Sequence, residues 1–220
     1  MKQPNLKEER KLWRRGYKRV ICLDESGRGP LAGPVVAAAV SIMNNTSAYN
    51  RMLNAGVNDS KKLTEKKREE LYKFLTRHPA IEWGTARVSE KVIDRINIKN
   101  AAELAMEKAL EKLRKKSRRQ KAKTDFLIID GKYLKNQKLK SLNHKLIVKA
   151  DQKVFSCAAA SILAKVERDR IIGKYHRKYP KYGFNLHKGY PTKLHLKILK
   201  RYGACPIHRK SFFPVRLVLK

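Results

Sequence analysis

The sequence predicts a mixed α/β fold in which helices flank a central sheet, and three observations support this prediction. Short apolar runs typical of buried strands alternate with longer segments of helical periodicity. Two of the apolar runs, VICLD and FLIID, end in an acid and lead into a glycine-containing turn. The 220 residues, of which 42% are hydrophobic, suffice for one main domain with a small appendage.

The first half of the chain predicts a charged arm, three strands and a helix. Residues 1–18 are mostly charged and indicate an exposed arm or a short first helix. The runs VICLD and PVVAAAVSIM predict two strands, and their apolar continuity indicates burial on both faces. A helix is expected to begin near Thr64, and the alternating run IEWGTARVS predicts a third strand.

In the second half of the sequence we predict two long helices, with a buried strand and a short strand between them in chain order. The segment INIKNAAELAMEKALEKLRKK is rich in Ala, Leu, Glu and Lys, which are good helix formers. TDFLIIDG predicts a buried strand that ends at Asp130, and a short strand near KLIVK follows. A helix from about Gln152 to Tyr175 completes this part.

We therefore expect three regions along the chain. Residues 1–18 form a basic N-terminal arm, and residues 19–178 form the main domain. Residues 179–220 form a basic C-terminal segment that packs on that domain as a small helical extension.

The charge of the chain indicates a polyanionic partner. Lys and Arg number 53 against 19 acids, and the formal net charge is +34. No run of about 18 apolar residues and no signal segment is present, so nucleic acid is favoured over a membrane surface. The three cysteines form no C-x-x-C pair, which indicates a reducing cytoplasm.

Two features allow more than one interpretation. The basic run at 112–123 could be a solvated helix end or an edge that follows a phosphate backbone. Cys205 and His208 could bind zinc, but a lone C-x-x-H pair is weak evidence, and a free thiol is the favoured interpretation.

Four acids from distant segments form a candidate metal site. Asp24 and Glu25 close an apolar strand, where buried carboxylates need a compensating cation. If VICLD and FLIID are parallel neighbours, Asp130 reaches the same edge, and Asp169 can join from the helix containing VERDR. Oxygen ligands without Cys or His suit Mg²⁺ or Mn²⁺, and a two-metal site would cleave phosphodiesters.

Each acid also has a structural interpretation. Asp130 precedes a glycine and, taken alone, is better explained as a turn residue. Asp169 could pair with Lys165 in an exposed helical ion pair. The pair of Asp24 and Glu25 has no obvious local task, so the prediction of a metal site depends on it.

Two further motifs indicate substrate contacts, although neither is specific alone. Lys61, in DSKKL, could hold a phosphate or simply precede a helix. Tyr190, in HKGYPT, could lie against a sugar or base or could cover the edge of the core.

Seven ordered motifs resemble the ribonuclease HII family: DESGRGPLAGPVVAAAV, NDSKKLTEKKREEL, DRINIKNAAELAM, IIDG, KVFSCAAASILAKVERD, HKGYPT and HRKSFFPV. The resemblance extends from Val20 to Val215. It implies a ribonuclease H-like α/β fold and cleavage of the RNA strand of RNA/DNA hybrids, including at a single ribonucleotide in duplex DNA.

The resemblance also implies roles for particular residues. Asp24, Glu25, Asp130 and Asp169 match the metal-binding carboxylates of the family. The matching substrate-binding positions are Gly27, Arg28 and Gly29, whose backbone reads the ribose 2′-hydroxyl; Tyr190, which lies against the next deoxyribose; and Lys61, Ser161 and Lys165, which hold phosphates.

The resulting hypothesis is a cytoplasmic, monomeric endonuclease that uses Mg²⁺ or Mn²⁺. It would cut 5′ to a ribonucleotide and leave 3′-hydroxyl and 5′-phosphate ends. A non-catalytic nucleic-acid binder would explain the composition but not the carboxylates. Another nuclease or strand-transfer enzyme of the same fold would need neither the GRG loop nor Tyr190.

Overall fold

A mixed five-stranded sheet forms the centre of the protein. The computed structural model describes residues 3–44, 55–117 and 125–219. In chain order the strands are β1 (Arg19–Ser26), β2 (Val35–Ile42), β3 (Ile81–Val88), β4 (Asp125–Asp130) and β5 (His144–Ile147). They lie side by side in the order β3-β2-β1-β4-β5.

The pairing of β1 with β4 brings two acid-terminated strands together. These strands are parallel, and Leu23 pairs with Ile129, so Asp24 and Asp130 occupy the next positions at the carboxyl edge of the sheet. On its other side β1 pairs antiparallel with β2, which pairs antiparallel with β3. The predicted parallel arrangement is therefore confirmed.

Helices cover both faces of this sheet. In chain order the α-helices of the described residues are α1 (Lys7–Arg14), α2 (Glu65–Arg77), α3 (Glu90–Lys116), α4 (Gln137–Lys140), α5 (Phe155–Lys178), α6 (Phe184–His187), α7 (Lys193–Tyr202) and α8 (Phe213–Arg216). One apolar cluster joins α3 to one face, and another joins α2 and α5 to the opposite face. The predicted mixed α/β fold with flanking helices is confirmed.

Helix α3 begins earlier than the sequence predicted and is interrupted. It starts at Glu90 rather than near residue 96, and Asn97 has the non-helical angles φ 64° and ψ 164°. The Asn97 side-chain oxygen accepts a hydrogen bond from the Asn100 amide at 3.1 Å, so Asn97 caps the second helical segment. Gly84 lets this segment approach β3, because a Cβ there would lie 2.5 Å from the Ala109 carbonyl oxygen.

Of the two alternatives for residues 1–18, the short first helix is confirmed by α1, whereas an exposed arm is wrong for several described residues. Leu6, Glu9 and Leu12 are buried, and Leu12 packs against the start of β1 and β4. Glu9 Oε1 accepts hydrogen bonds from the Ser156 amide at 3.0 Å and the Ser156 hydroxyl at 2.8 Å. A carboxylate at the amino end of α5 is favourable because free amides and the helix dipole meet there.

The C-terminal segment packs beside the loop that follows β1. Leu31 forms an apolar cluster with Leu199 and Val215, and its carbonyl oxygen accepts a hydrogen bond from the Arg209 amide at 2.8 Å. The division into regions at residues 18/19 and 178/179 stays a prediction.

Part of the basic run at 112–123 can be placed. Helix α3 continues to Lys116, whereas residues 118–123 lie outside the described residues. Within the described part of the chain, no helix is long and apolar enough to cross a membrane.

Candidate active site

Buried carboxylates gather at the carboxyl edge of the sheet. Asp24 is 5% exposed, and its Oδ1 accepts a hydrogen bond from the Glu25 amide at 2.8 Å. Burial raises the pKa of Asp24 well above its usual range, and the negative charges of Glu25, Asp130 and Asp151 add to this effect. The carboxylates at this edge therefore repel one another when they are ionised.

Glu25 connects the acidic edge to the glycine loop at residues 27–29. Its Oε1 lies 3.2 Å from Arg28 Nη1, and its side chain is 10% exposed. Burial raises the pKa of Glu25, although the Arg28 guanidinium acts in the opposite direction. Asp130 is held by the amide of Ala150, which donates to its Oδ1 at 3.0 Å. Asp130 therefore binds the backbone beyond β5.

Asp151 is an acid of this edge that the sequence reasoning missed. It is 2% exposed, and its Oδ2 lies 3.3 Å from Lys61 Nζ. Burial raises the pKa of Asp151 even though Lys61 opposes the shift. The available signal was its position just beyond β5, because parallel strands that neighbour one another end at the same edge.

Asp169 is placed among cations of α5 and α2. Lys165 Nζ donates to its Oδ1 at 2.7 Å, and Arg68 Nη2 lies 3.8 Å from its Oδ2. The ion pair considered from the sequence is present, but it is buried, since the side chains of Lys165 and Asp169 are 17% and 8% exposed. The expectation that Asp169 joins the other three carboxylates stays a prediction.

The predicted phosphate-binding residues occupy neighbouring positions. Ser161, Lys165 and Asp169 are spaced four residues apart on α5 and so lie along one side of it. The Ser161 hydroxyl is 2.8 Å from the hydroxyl of Ser60, the residue before Lys61. Burial lowers the pKa of Lys165.

The glycine loop and Tyr190 lie side by side. Gly27 is buried with φ 101°, whereas Arg28 and Gly29 are exposed. A Cβ at Gly29 would lie 3.6 Å from Tyr190 Cε1, and Tyr190 is 40% exposed. The loop and the ring therefore form one accessible surface next to the carboxylates.

Two buried arginines behind this loop were also missed by the sequence reasoning. Arg168 and Arg209 are both 0% exposed, and they donate hydrogen bonds to carbonyl oxygens of residues 27–34. Their burial behind the loop could not be predicted from the sequence, because these contacts with the loop join segments more than 130 residues apart.

The acidic edge fits a divalent cation by its chemistry. The candidate ligands are carboxylate oxygens, and Asp169 Oδ2 is buried and accepts no hydrogen bond from the residues that the structure describes. Such oxygens suit Mg²⁺ or Mn²⁺, whose charge would offset the repulsion around Asp24. Across residues 3–44, 55–117 and 125–219, no three acidic, histidine or cysteine side chains form a ready-made metal cluster.

A cationic groove continues from Asp169 along the sheet edge. It encloses about 780 Å³ and includes Val36, the partner of Ser26 at the end of β1. Its cationic lining residues are Arg68, Arg87, Lys112, Arg170, Lys174, Arg177 and Lys188. Some of these residues form ion pairs, such as Arg170 with Glu69 at 2.6 Å.

Cys205 and His208 form a contact typical of neutral groups rather than of a zinc site. Cys205 Sγ lies 3.1 Å from His208 Nδ1, while His208 Nε2 faces His195 Nε2 at 3.1 Å. Burial raises the pKa of Cys205 to about 11 and lowers that of His208 to about 4. Among the described residues no group of three or more His, Cys, Asp or Glu side chains could hold a metal ion here, so the free thiol stays the favoured interpretation.

Comparisons with known proteins agree on one family. The family model described as Ribonuclease HII matches residues 21–215. The chain is 48% identical to Ribonuclease HII of Caldicellulosiruptor bescii, covering 93% of this chain and 91% of that protein. It is 44% identical to Ribonuclease HII of Acholeplasma laidlawii, covering 98% of both chains.

A solved structure gives the same result for the fold. The crystal structure of ribonuclease H2 from Pyrococcus horikoshii OT3 matches with a TM-score of 0.68 and 28% identity. The match covers 91% of this chain and 96% of that chain, which extends the likeness to nearly the whole of both molecules.

Proposed function

This chain belongs to the ribonuclease HII family, and from that premise we propose that it cuts duplex DNA on the 5′ side of a single embedded ribonucleotide. Its activity is that of a metal-dependent endoribonuclease acting on RNA/DNA. The proposed products carry a 3′-hydroxyl and a 5′-phosphate. The cut at a lone ribonucleotide and the use of two ions belong to the proposal.

The acidic edge is the proposed metal centre. Asp24, Glu25, Asp130 and Asp169 would hold the divalent ions, either Mg²⁺ or Mn²⁺, and Asp151 lies beside them. Bound there, two such ions would supply activation of the attacking water and stabilisation of the charge on the leaving 3′-oxygen. The carboxylates themselves fix the position of this chemistry at the end of β1 and β4.

Recognition of the ribonucleotide is assigned to the glycine loop and Tyr190. Arg28 and Gly29 are exposed beside the carboxylates, where backbone amides can bind the 2′-hydroxyl that distinguishes RNA from DNA. The ring of Tyr190, adjacent to Gly29, would lie against the following deoxyribose. Because the loop binds the 2′-hydroxyl, this group is recognised and does not act as the nucleophile.

Phosphate binding is assigned to Lys61, Ser161 and Lys165. Lys61 contacts Asp151 at the acidic edge, and Ser161 and Lys165 lie on α5, where Lys165 contacts Asp169. Contacts to phosphates hold a duplex in register without reading its sequence.

One observation carries the proposal: the exposed glycine loop is joined to the acidic edge by the contact between Arg28 and Glu25 at 3.2 Å. A recognition element for the sugar therefore lies beside the carboxylates. A non-catalytic binder would have no use for this arrangement.

The test uses three matched duplexes with Mg²⁺ or Mn²⁺: one with a single ribonucleotide, one RNA/DNA hybrid and one all-DNA duplex. Mass spectrometry of the products should give a cut 5′ to the ribonucleotide, with 3′-hydroxyl and 5′-phosphate ends. Equal cutting of the all-DNA duplex would indicate a different nuclease of the same fold. Cleavage of the RNA/DNA hybrid without cleavage of the single-ribonucleotide duplex would contradict the proposed cut at a single embedded ribonucleotide.

A further inference from the structure

Arg209, from the C-terminal segment, binds the inner side of the glycine loop. Its side chain is 0% exposed, and Nη2 donates to the Gly27 carbonyl at 2.6 Å. Nη1 donates to the Arg28 carbonyl at 3.0 Å, and Nε donates to the Gly33 carbonyl at 2.9 Å. A buried guanidinium is costly unless its donors are satisfied, and here all three nitrogens bind backbone.

These contacts fix the direction of two peptide groups. In a trans peptide the carbonyl and the following amide point in opposite directions, and the described residues contain no cis peptide bond. The carbonyls of Gly27 and Arg28 point inward to Arg209, so the amides of Arg28 and Gly29 point outward. Pro30 has no backbone N–H, so the run of outward-pointing amides ends at Gly29. The amides of Arg28 and Gly29 are therefore two consecutive donors on the outer side of the loop.

Arg168 holds the other end of the same loop. It donates to the carbonyls of Pro34, Ala32 and Lys188 at 3.3, 3.2 and 3.1 Å. A Cβ at Gly27 would lie 2.3 Å from Arg168 Nε, so the loop can pack on this arginine only as glycine. Because Arg168 also holds Lys188, near Tyr190, it connects the two proposed recognition elements.

We propose that Arg209 is a positioning residue for ribonucleotide recognition: its guanidinium turns the amides of Arg28 and Gly29 toward the 2′-hydroxyl of the substrate. Arg209 does not touch the nucleic acid in this arrangement and acts only through the two peptide groups. The inference rests on the proposed function, in which this loop binds the 2′-hydroxyl. It gives the C-terminal segment a part in selectivity in addition to its packing.

The variant Arg209→Lys tests this arrangement with the positive charge retained. A lysine ammonium is a single point on a flexible stem and cannot hold three carbonyls in the geometry of the guanidinium fork. We expect kcat/KM for the single-ribonucleotide duplex to fall about 100-fold, the size of effect that a misplacement of about 1 Å produces. The Kd for the matched all-DNA duplex should stay within about twofold, because phosphate contacts dominate that binding.

The control is Arg216→Lys, the same exchange at an exposed position of the same segment. It should leave both quantities unchanged. Thermal melting of both variants identifies any general loss of folding, which would lower binding to the two duplexes together. Unchanged selectivity of a folded Arg209→Lys protein would overturn the inference.

A measurement on the unchanged protein covers the case in which Arg209→Lys does not fold. In ¹⁵N NMR spectra, addition of the single-ribonucleotide duplex in EDTA should shift the amides of Arg28 and Gly29, whereas the all-DNA duplex should not. The Arg209 Nε–H should exchange slowly in both states, because it is buried against Gly33. Rapid exchange of that group, or amides that respond equally to both duplexes, would contradict the inference.

The two levels of proposal fail in different ways. If the unchanged protein itself does not prefer the single-ribonucleotide duplex over all-DNA, the proposed function fails. If the unchanged protein is selective and folded Arg209→Lys is equally selective, only the role of Arg209 fails.

Discussion

Asp24 combines burial with three negative neighbours, and this combination could be anticipated only in part from the sequence. The sequence shows that Asp24 ends an apolar run, and a second apolar run ends in the same way at Asp130. This similarity predicted that the two acids lie close together. Asp151 follows the end of β5 and could have been found by the same reasoning. Arg209 could not, because its environment is created by segments that approach only in the folded chain. The position of a site residue could therefore be predicted from the sequence where that residue follows the end of a strand.

Replacement of Asp24 by Asn should separate catalysis from binding. We expect cleavage of an RNA/DNA hybrid to fall by about 10³-fold or more, because the proposed metal centre loses a charged ligand. The Kd for the hybrid in EDTA should change little. Quenched-flow single-turnover cleavage and fluorescence anisotropy measure the two quantities.

The same variant should also alter the thermal stability. Because burial and neighbouring acids raise the pKa of Asp24, its ionised form opposes folding at pH 8, and Asn removes that cost. The melting temperature of Asp24→Asn in EDTA should equal or exceed that of the unchanged protein, while stabilisation by Mg²⁺ should be smaller. The exposed exchange Glu70→Gln is the control, and normal cleavage by Asp24→Asn would refute the assignment of the acidic edge.

Tyr190 should contribute through its ring rather than its hydroxyl. Base stacking on an aromatic ring is worth about 1–3 kcal/mol, and a comparable effect for the ring against the deoxyribose would lower kcat/KM of Tyr190→Ala for the single-ribonucleotide duplex by about 5- to 150-fold. Tyr190→Phe keeps the ring and should stay within about threefold of the unchanged protein. Steady-state kinetics on the single-ribonucleotide duplex measure both variants, and equal losses in the two would show that the hydroxyl carries the effect.

At the scale of elements, the strands were easier to predict than the ends of the helices. VICLD, PVVAAAVSIM and FLIID are apolar because helices cover both faces of the sheet. The same burial therefore makes these strands recognisable in the sequence as continuous apolar runs. Helix α2 begins where expected because the Thr64 hydroxyl accepts a hydrogen bond from the Lys67 amide at 3.2 Å. Helix α1 was missed as a packed element because its anchor, Glu9, is a charged residue that binds the start of α5.

Glu9 should make the stability of the protein depend on pH. Burial raises its pKa from the ordinary 4.5 to about 7, so the folded protein binds more protons than the unfolded chain between these values. The contribution of Glu9 is fully present below pH 4.5 and is lost as the pH rises through 7. The free energy of unfolding should decrease over this window by up to about 3 kcal/mol.

Urea denaturation from pH 4.5 to 8 tests this expectation with Glu9→Gln. The neutral side chain keeps an acceptor for Ser156 and removes the titration, so the slope of stability against pH should become smaller. Glu70→Gln, at a half-exposed position, should leave the slope unchanged. An identical slope in Glu9→Gln and the unchanged protein would show that Glu9 is ionised throughout.

At the scale of the whole molecule, a net charge of +34 surrounds a small acidic edge. The cations favour any nucleic acid, whereas the buried carboxylates at the end of β1 and β4 would confine divalent metal ions to one place. Composition alone predicted the first property. The second required the pairing of β1 with β4, which places acids from opposite parts of the chain at one edge.

The cationic groove beside Asp169 should bind the phosphate backbone beyond the cleavage site. Lys174 and Arg177 are exposed in its lining, and Arg87 in the same groove pairs with Val36 at the active edge of the sheet. Each phosphate contact contributes about 0.9 to the slope of log K against log salt concentration. The double variant Lys174→Gln/Arg177→Gln should therefore lower that slope by about 1.8 for an all-DNA duplex.

The matched control removes the same charge at the other end of the sheet. Lys11 and Arg14 are exposed on α1, which precedes β1 and lies near the start of β4, where the ring centroids of Tyr17 and Phe126 are 4.8 Å apart. Lys11→Gln/Arg14→Gln should change the slope by less than about 0.5, because these cations belong to the helix beside the start of β1 and β4 and do not line the groove. Fluorescence anisotropy across a salt series measures both variants. Equal changes in the two would mean that the whole basic surface, rather than the groove, holds the duplex.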